Sequence, residues 1–269
     1  MTSHSKDPTQ QLTAAAETTL CPHCGRKLAT LFGAMNNSKL PLECSCDAAV
    51  AERAAQQAEN IARLRAHKER KVAELMEKSG IPSTGRVLNM RAFTLDTEER
   101  TAAYQRAVEF VQRSKEPGAP AFLYIHGDIG TGKTRLAMCL AADLVRRTKP
   151  VTWTRVSDIL RELRDAMNDK KAKEADIVAQ YTDCPWLFLD DLGEERPSEW
   201  TTAQLYNMLD ERYANARPTV ITSNYTLSQL ERALTATPES NVTARSITDR
   251  IGQGIQISLT GKSRRHNHD

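Results

Sequence analysis

Residues Ala121–Thr134 read AFLYIHGDIGTGKT, and this stretch decides the fold. AFLYIH is an apolar run of strand length, as expected where a strand is covered on both faces. The next eight residues, Gly127, Asp128, Ile129, Gly130, Thr131, Gly132, Lys133 and Thr134, fit G-x-x-x-x-G-K-[ST] at every fixed position. Glycines let successive N–H groups turn inward as an anion nest, and the helix that follows adds its positive N-terminal end. In such a loop the lysine reaches the β and γ phosphates and the hydroxyl ligates Mg²⁺. Residues 127–134 together with Arg135 are therefore the candidate ATP-binding group, with Thr134 a Mg²⁺ ligand. A glycine turn matching by chance would lack the strand before it and the helix after it.

Outward from this loop the chain alternates apolar strands with amphipathic helices, the pattern of a parallel sheet covered on both faces. The other strands are expected at 151–156 (VTWTRV), 186–190 (WLFLD), 218–222 (PTVIT) and 254–259 (GIQISL), with helices near 134–147, 157–167, 201–214 and 227–233. The fold class is α/β, a five-stranded parallel sheet built around a phosphate loop. A phosphate loop needs a second, carboxylate-bearing strand to hold the metal, and WLFLDDLGEE supplies it. Asp190 is the candidate Mg²⁺ residue, acting through water, and Asp191 the group that orients and deprotonates the attacking water, with Glu194 or Glu195 assisting; capping of the next turn is the alternative for Asp191. The strand ending TVITSN puts Asn224 beside the first and third strand ends, where ligands of parallel sheets bind. There Asn224 either senses the γ-phosphate or caps the helix that starts near Leu227.

Four of the six cysteines lie ahead of this core, as Cys21-Pro22-His23-Cys24 and Cys44-Ser45-Cys46. Two close thiolate pairs suit structural Zn²⁺, either with all four sulfurs or with His23 replacing one. A segment this short also needs a staple in order to fold. Cys139 and Cys184 are read as ordinary core residues. Residues 1–19 are rich in Thr, Ser, Gln and Ala and read as a disordered arm, 20–46 as the zinc-binding module, 47–80 as one long helix and 81–269 as the ATPase core. The helix has no Pro or Gly before Gly80 and only a thin stripe of Val50, Ala54, Ala58, Ile61, Leu64, Val72, Leu75 and Met76, which fits a partner-binding helix or a solvated connector. Composition excludes several classes: 269 residues, 40% hydrophobic and 26% charged, are ordinary for a globular chain, and no run could span a bilayer. No signal layout precedes Cys21, so a cytoplasmic chain without membrane contact is expected. A formal charge of +3 leaves only local contact with nucleic acid.

GDIGTGKT, LFLDDLGEE, TSN and SITDRI, with the lead-in SGIPSTGRVLNM, together resemble the AAA+ ATPases that load replicative helicases, the DnaC-like loaders, and their IstB-like transposition relatives. The resemblance covers residues 80 to 265 and implies an AAA+ core that hydrolyses ATP with Mg²⁺, self-associates when ATP-bound, and lacks a separate helical lid. Asp191 departs from the glutamate usual in AAA+ ATPases, but the Asp-Asp-Leu-Gly form is similar to this family's own usage. By resemblance Arg250 matches the arginine that reaches a neighbouring subunit's nucleotide, and Arg264 the terminal arginine that senses the nucleotide in cis; a solvated surface arginine is the bland alternative for each. The implied partners are a hexameric, DnaB-like replicative helicase gripped by the N-terminal module, and single-stranded DNA. Arg161, Arg164, Lys170, Lys171 and Lys173 are the candidate DNA contacts, or a solvated face balanced by Glu162, Asp165, Asp169 and Glu174. Leu28, Leu31, Phe32, Met35 and Leu40 favour protein over DNA as the module's partner. The alternatives to a loader are an IstB-like ATPase assisting a DNA transposase and a nucleotide-gated adaptor with little hydrolysis.

Overall fold

The structure is a computed structural model and describes residues 19–28, 30–32, 39–41, 43–168 and 174–264. The expected disordered arm, apart from Thr19, lies outside the described residues, as do Met35, Asp169, Lys170, Lys171 and Lys173. The chain divides into two compact units, Met1–His67 and Lys68–Asp269.

In the first unit, strands β1 (Thr30–Phe32) and β2 (Lys39–Pro41) pair antiparallel. Ahead of them a knuckle closes where the Cys21 N–H donates to Arg26 O and the Gly25 N–H to Cys21 O, both at 2.9 Å. Helix α1 (Asp47–Lys78) then begins. Its residues from Ala54 to Lys71 are all exposed, so strong helix-forming side chains rather than burial hold this stretch in register. Ile61 and Leu64 of the thin stripe are 49% and 69% exposed.

The second unit is an α/β/α sandwich. Its parallel sheet has the order β4-β5-β6-β3-β7, from β3 (Phe122–Gly127), β4 (Thr152–Arg155), β5 (Leu187–Asp190), β6 (Thr219–Ser223) and β7 (Ile255–Leu259). Strand side chains alternate between two cores. Leu123 and Ile125 of β3 face one core with α3 (Glu98–Arg113) and α4 (Lys133–Arg146), against which Val72, Leu75 and Met76 also pack. Phe122 and Tyr124 face the other core with α5 (Val156–Asn168), α6 (Glu174–Thr182), α7 (Glu199–Ala214), α8 (Leu227–Leu234) and α9 (Pro238–Gly252). A short helix α2 (Ser83–Arg86) completes the lead-in. Burial on both faces explains why the strands read as continuous apolar runs.

Two expectations change. Val156 opens α5 instead of closing β4, because the strand ends where its pairing with β5 ends at Arg155↔Asp190. Cys139 is fully buried as expected, but Cys184 is only half-buried and stays at the surface of its core, its sulfur 3.4 Å from Nη1 of Arg212.

Candidate functional site

All five strands of the parallel sheet end on one edge, so Arg155, Asp190, Ser223, Gly127 and Leu259 come to the same side. That edge opens into a cleft of about 690 Å³ lined by Ile129, Gly130, Gly132, Lys133, Thr134, Arg135, Asp190, Asp191 and Asn224, and also by Arg100, Arg155, Ser157, Glu194, Glu195 and Arg264.

The phosphate loop bends where the sequence placed its glycines: φ is +140° at Gly127, +83° at Gly130 and +104° at Gly132. Lys133 Nζ donates to the carbonyls of Gly127 (2.9 Å) and Asp128 (2.7 Å), which holds the cation over the loop mouth. At the cleft floor, Asp190 Oδ1 accepts from Thr134 Oγ1 (3.0 Å) and Thr222 Oγ1 (2.6 Å). Thr222 Oγ1 in turn accepts the Asp191 N–H at 3.0 Å. Asp191 sits at φ +60°, a costly conformation for a residue with a side chain, held here by that bond. Burial raises the proton affinity of Asp190 against the two hydroxyl bonds that favour its ionised form. A hydroxyl and a carboxylate 3.0 Å apart beneath a glycine nest are an oxygen donor set suited to Mg²⁺ and nucleotide phosphates.

Asn224 donates from Nδ2 to Glu194 Oε1 (2.7 Å) on the cleft wall. The helix cap that was its alternative belongs to Thr226, which forms a capping box with Gln229 at the start of α8. Asp191 does not cap α7 either, since Ser198 accepts the Thr201 N–H there. Arg264 reaches the cleft and pairs with Asp96 at 2.6 Å. Arg250 lies outside the cleft lining: its Nε donates to Asp210 (2.6 Å) and Nη2 to the Tyr206 hydroxyl (3.0 Å) across the α7–α9 contact. Of the candidate DNA contacts within the described residues, Arg161 pairs with Asp158 at 2.9 Å and Arg164 lies 5.1 Å over the Trp200 ring.

Sequence reasoning missed Arg100, which is 5% exposed. Its guanidinium donates to Thr131 O (2.9 Å) and Thr94 O (2.7 Å), pairs with Asp96 (3.2 Å) and stacks 4.1 Å over Phe93. Asp96 thus bridges Arg100 and Arg264, and the Arg264 bond holds its carboxyl below the ordinary range. The signal was present in the spacing, because Arg100, Ala103, Ala107 and Phe110 fall on one buried face of α3. Arg155 and Thr222 were missed as well, and both sit at strand ends on the cleft edge.

In the first unit the four sulfurs of Cys21, Cys24, Cys44 and Cys46 lie within 4.8 Å of one another, with Cys21–Cys46 at 3.8 Å and Cys24–Cys44 at 3.5 Å. Tetrahedral Zn–S bonds of about 2.3 Å place sulfurs about 3.8 Å apart, so the set fits the ion. Backbone N–H groups of Cys24 and His23 pull the Cys21 thiol down, while the neighbouring thiols and burial push that of Cys24 up, as crowding four sulfurs without a cation requires. His23 Nε2 lies instead 2.6 Å from Glu52 Oε2, beside the thiolate cluster.

Comparison with known proteins agrees with this geometry. The chain is 28% identical over 172 residues to the replicative helicase loader DnaI of Bacillus subtilis (strain 168), covering 62% of this chain and 55% of that protein. It is 23% identical over 164 residues to the replicative helicase loader DnaC of Escherichia coli (strain K12), covering 61% of this chain and 66% of that one. The match therefore spans less than two thirds of either relative. A crystal structure of DnaI superposes with a TM-score of 0.59 at 28% identity, over 71% of this chain and 99% of that chain. A crystal structure of the DnaC helicase loader superposes with a TM-score of 0.53 at 21% identity, over 66% and 99%, a likeness of fold. The core is thus the AAA+ fold, and no helix among the described residues is long and apolar enough to cross a membrane. The model for IstB-like ATP binding proteins matches residues 52–269, from the first half of α1 through the whole phosphate-loop unit, and the chain belongs to that family.

Proposed function

We propose that the protein is an ATP-dependent loader of a hexameric replicative helicase onto single-stranded DNA. The observation that carries the reading is the Thr134–Asp190–Thr222 cluster beneath a glycine nest, at the open edge of a parallel sheet. Residues 127–135 hold the triphosphate, with Lys133 leaving its carbonyl acceptors for the β and γ phosphates. Thr134 and, through water, Asp190 hold Mg²⁺, which when bound neutralises charge on the phosphate oxygens. Asp191 orients the attacking water, Asn224 contacts the γ-phosphate, and Arg264 binds the same nucleotide in cis.

Arg250, anchored away from its own cleft, serves a neighbouring copy's nucleotide and makes hydrolysis depend on ATP-driven self-association. The four cysteines bind Zn²⁺ and hold the module that, with α1, engages the helicase. Residues 20–46, 47–80 and 81–269 then act as metal module, connecting helix and motor in a cytoplasmic protein. The test has two parts. Lys133→Ala abolishes ATP binding or turnover, and turnover like the wild type would remove the phosphate-loop assignment. Purified full-length protein with ATP retains a hexameric replicative helicase in a pull-down; retention of a transposase alone would favour the IstB-like alternative.

A further inference from the structure

Glu195 is the one residue of the cleft wall with a buried side-chain oxygen lacking any partner among the described residues: Oε1 is shut from solvent and hydrogen-bonded to nothing. Its other oxygen, Oε2, accepts the Gly193 N–H at 2.8 Å. The loop that carries it cannot drift. The Leu192 N–H donates to Thr222 O (2.9 Å), Leu192 O accepts from Ser223 Oγ (2.6 Å), and a Cβ on Gly193 would lie 2.8 Å from Leu230 and 2.9 Å from Tyr225. A buried polar atom without a partner is costly, so a carboxylate on the cleft wall that carries one gains by turning it towards a polar group that enters the cleft.

We propose that Glu195 Oε1 is the proton acceptor for the water that attacks the γ-phosphate, with Asp191 orienting that water. This rests on the ATPase reading above and names the base within the same site. The water oxygen bonds to the γ-phosphorus while the bond to the bridging oxygen breaks, and the electron pair leaves with ADP. The water's proton passes to Oε1, and the resulting carboxylic acid returns it to solvent as phosphate leaves. Burial, against the backbone N–H groups of Glu195 and Gly193 and with smaller repulsion from Glu194 and Asp191, lifts the Glu195 carboxyl to about 7, where a general base works best near neutral pH. The other charged groups that line the cleft are Arg100 on α3, Lys133 and Arg135 on α4, Arg155 and Asp190 at the ends of β4 and β5, and Arg264 after β7.

Glu195→Gln separates this role from a structural one, because the amide oxygen still accepts the Gly193 N–H. In the full-length protein with saturating Mg-ATP, the variant is expected to bind ATP within about threefold of wild type and to lose about 100-fold or more in single-turnover hydrolysis. The wild-type rate is expected to rise with pH through about 7 to a plateau, and the residual rate of the variant to stay flat. Hydrolysis by Glu195→Gln within threefold of wild type overturns the inference and leaves the ATPase reading intact. A wild-type rate that shows no ionisation near neutrality overturns it independently of any variant. A wild-type chain that binds ATP and never hydrolyses it overturns both.

Discussion

Thr222 joins the metal-site carboxylate to the strained residue after it, and its replacement by valine tests the cleft floor. Thr222 is 1% exposed and its hydroxyl makes two bonds, donating to Asp190 Oδ1 at 2.6 Å and accepting the Asp191 N–H at 3.0 Å. Valine keeps the branched shape, so no cavity opens. A hydrogen bond to a charged group contributes about 1.5–3 kcal/mol, and an N–H left without an acceptor costs about 1–3 kcal/mol when buried. Asp191 is only half-buried, which puts the total at about 3 kcal/mol. Thr222→Ser keeps both bonds and loses one methyl, at about 1 kcal/mol. All three tryptophans, Trp153, Trp186 and Trp200, lie in the second unit, so their fluorescence during urea unfolding of the full chain reports on that unit alone. With a slope of about 2 kcal/mol per molar urea, the valine midpoint should fall by about 1.5 M and the serine midpoint by about 0.5 M. Valine and serine variants with equal midpoints would refute the claim that the hydroxyl, rather than the methyl, organises the floor.

Three other outcomes follow from the same geometry. Arg100→Met removes a buried fork that holds Thr131 O, Thr94 O and Asp96, and should weaken ATP binding at least about tenfold by calorimetry while costing about 3 kcal/mol of stability; unchanged affinity would show that the loop holds its shape without it. Replacing Cys21 and Cys24 by serine should take metal content from about one Zn²⁺ per chain to none, and a folded wild-type chain without zinc would end that assignment. Because burial lifts Glu195 from 4.5 to about 7, folding costs more as pH rises through that window, by up to about 3 kcal/mol above it. Glu195→Gln should therefore raise the urea midpoint at pH 8 and much less near pH 5, and equal gains at both would contradict the burial argument.

The phosphate loop, the carboxylate strand and the five strands of the core were legible because strands covered on both faces must be apolar throughout and glycines at fixed spacing have a geometric cause. Helices α3 and α9 were harder to read. PESNVTARSITDRIG mixes polar and apolar residues around its circumference, and only the capping box of Thr237 with Ser240 and the proline at Pro238 mark its start. Buried cations were the deeper failure. Arg212 shares a face of α7 with Leu205, Met208 and Leu209 and is fully buried, its guanidinium satisfied by the carbonyls of Tyr181, Thr182, Cys184 and Pro218. Helical spacing pointed inward at both Arg100 and Arg212, while composition rules say arginine belongs outside. Carbonyl groups from distant segments settle that conflict, and no local pattern announces them.

The residues after β7 lie directly on the phosphate loop. Asp128 N–H donates to Leu259 O, Gly261 N–H to Asp128 Oδ2, and Arg264 N–H to Gly130 O. A Cβ on Gly127 would fall 1.8 Å from Leu259 O, and one on Gly130 2.1 Å from Ser263 Oγ. Two of the three glycines in the loop are therefore demanded by the protein's own chain, before any nucleotide arrives. An alanine at either position would act first as a folding lesion, so its loss of ATP binding would say little about contacts to phosphate. The same stitching makes the segment from Leu259 to Arg264 a mechanical handle on the loop: a displacement there would be felt at the nucleotide without touching it.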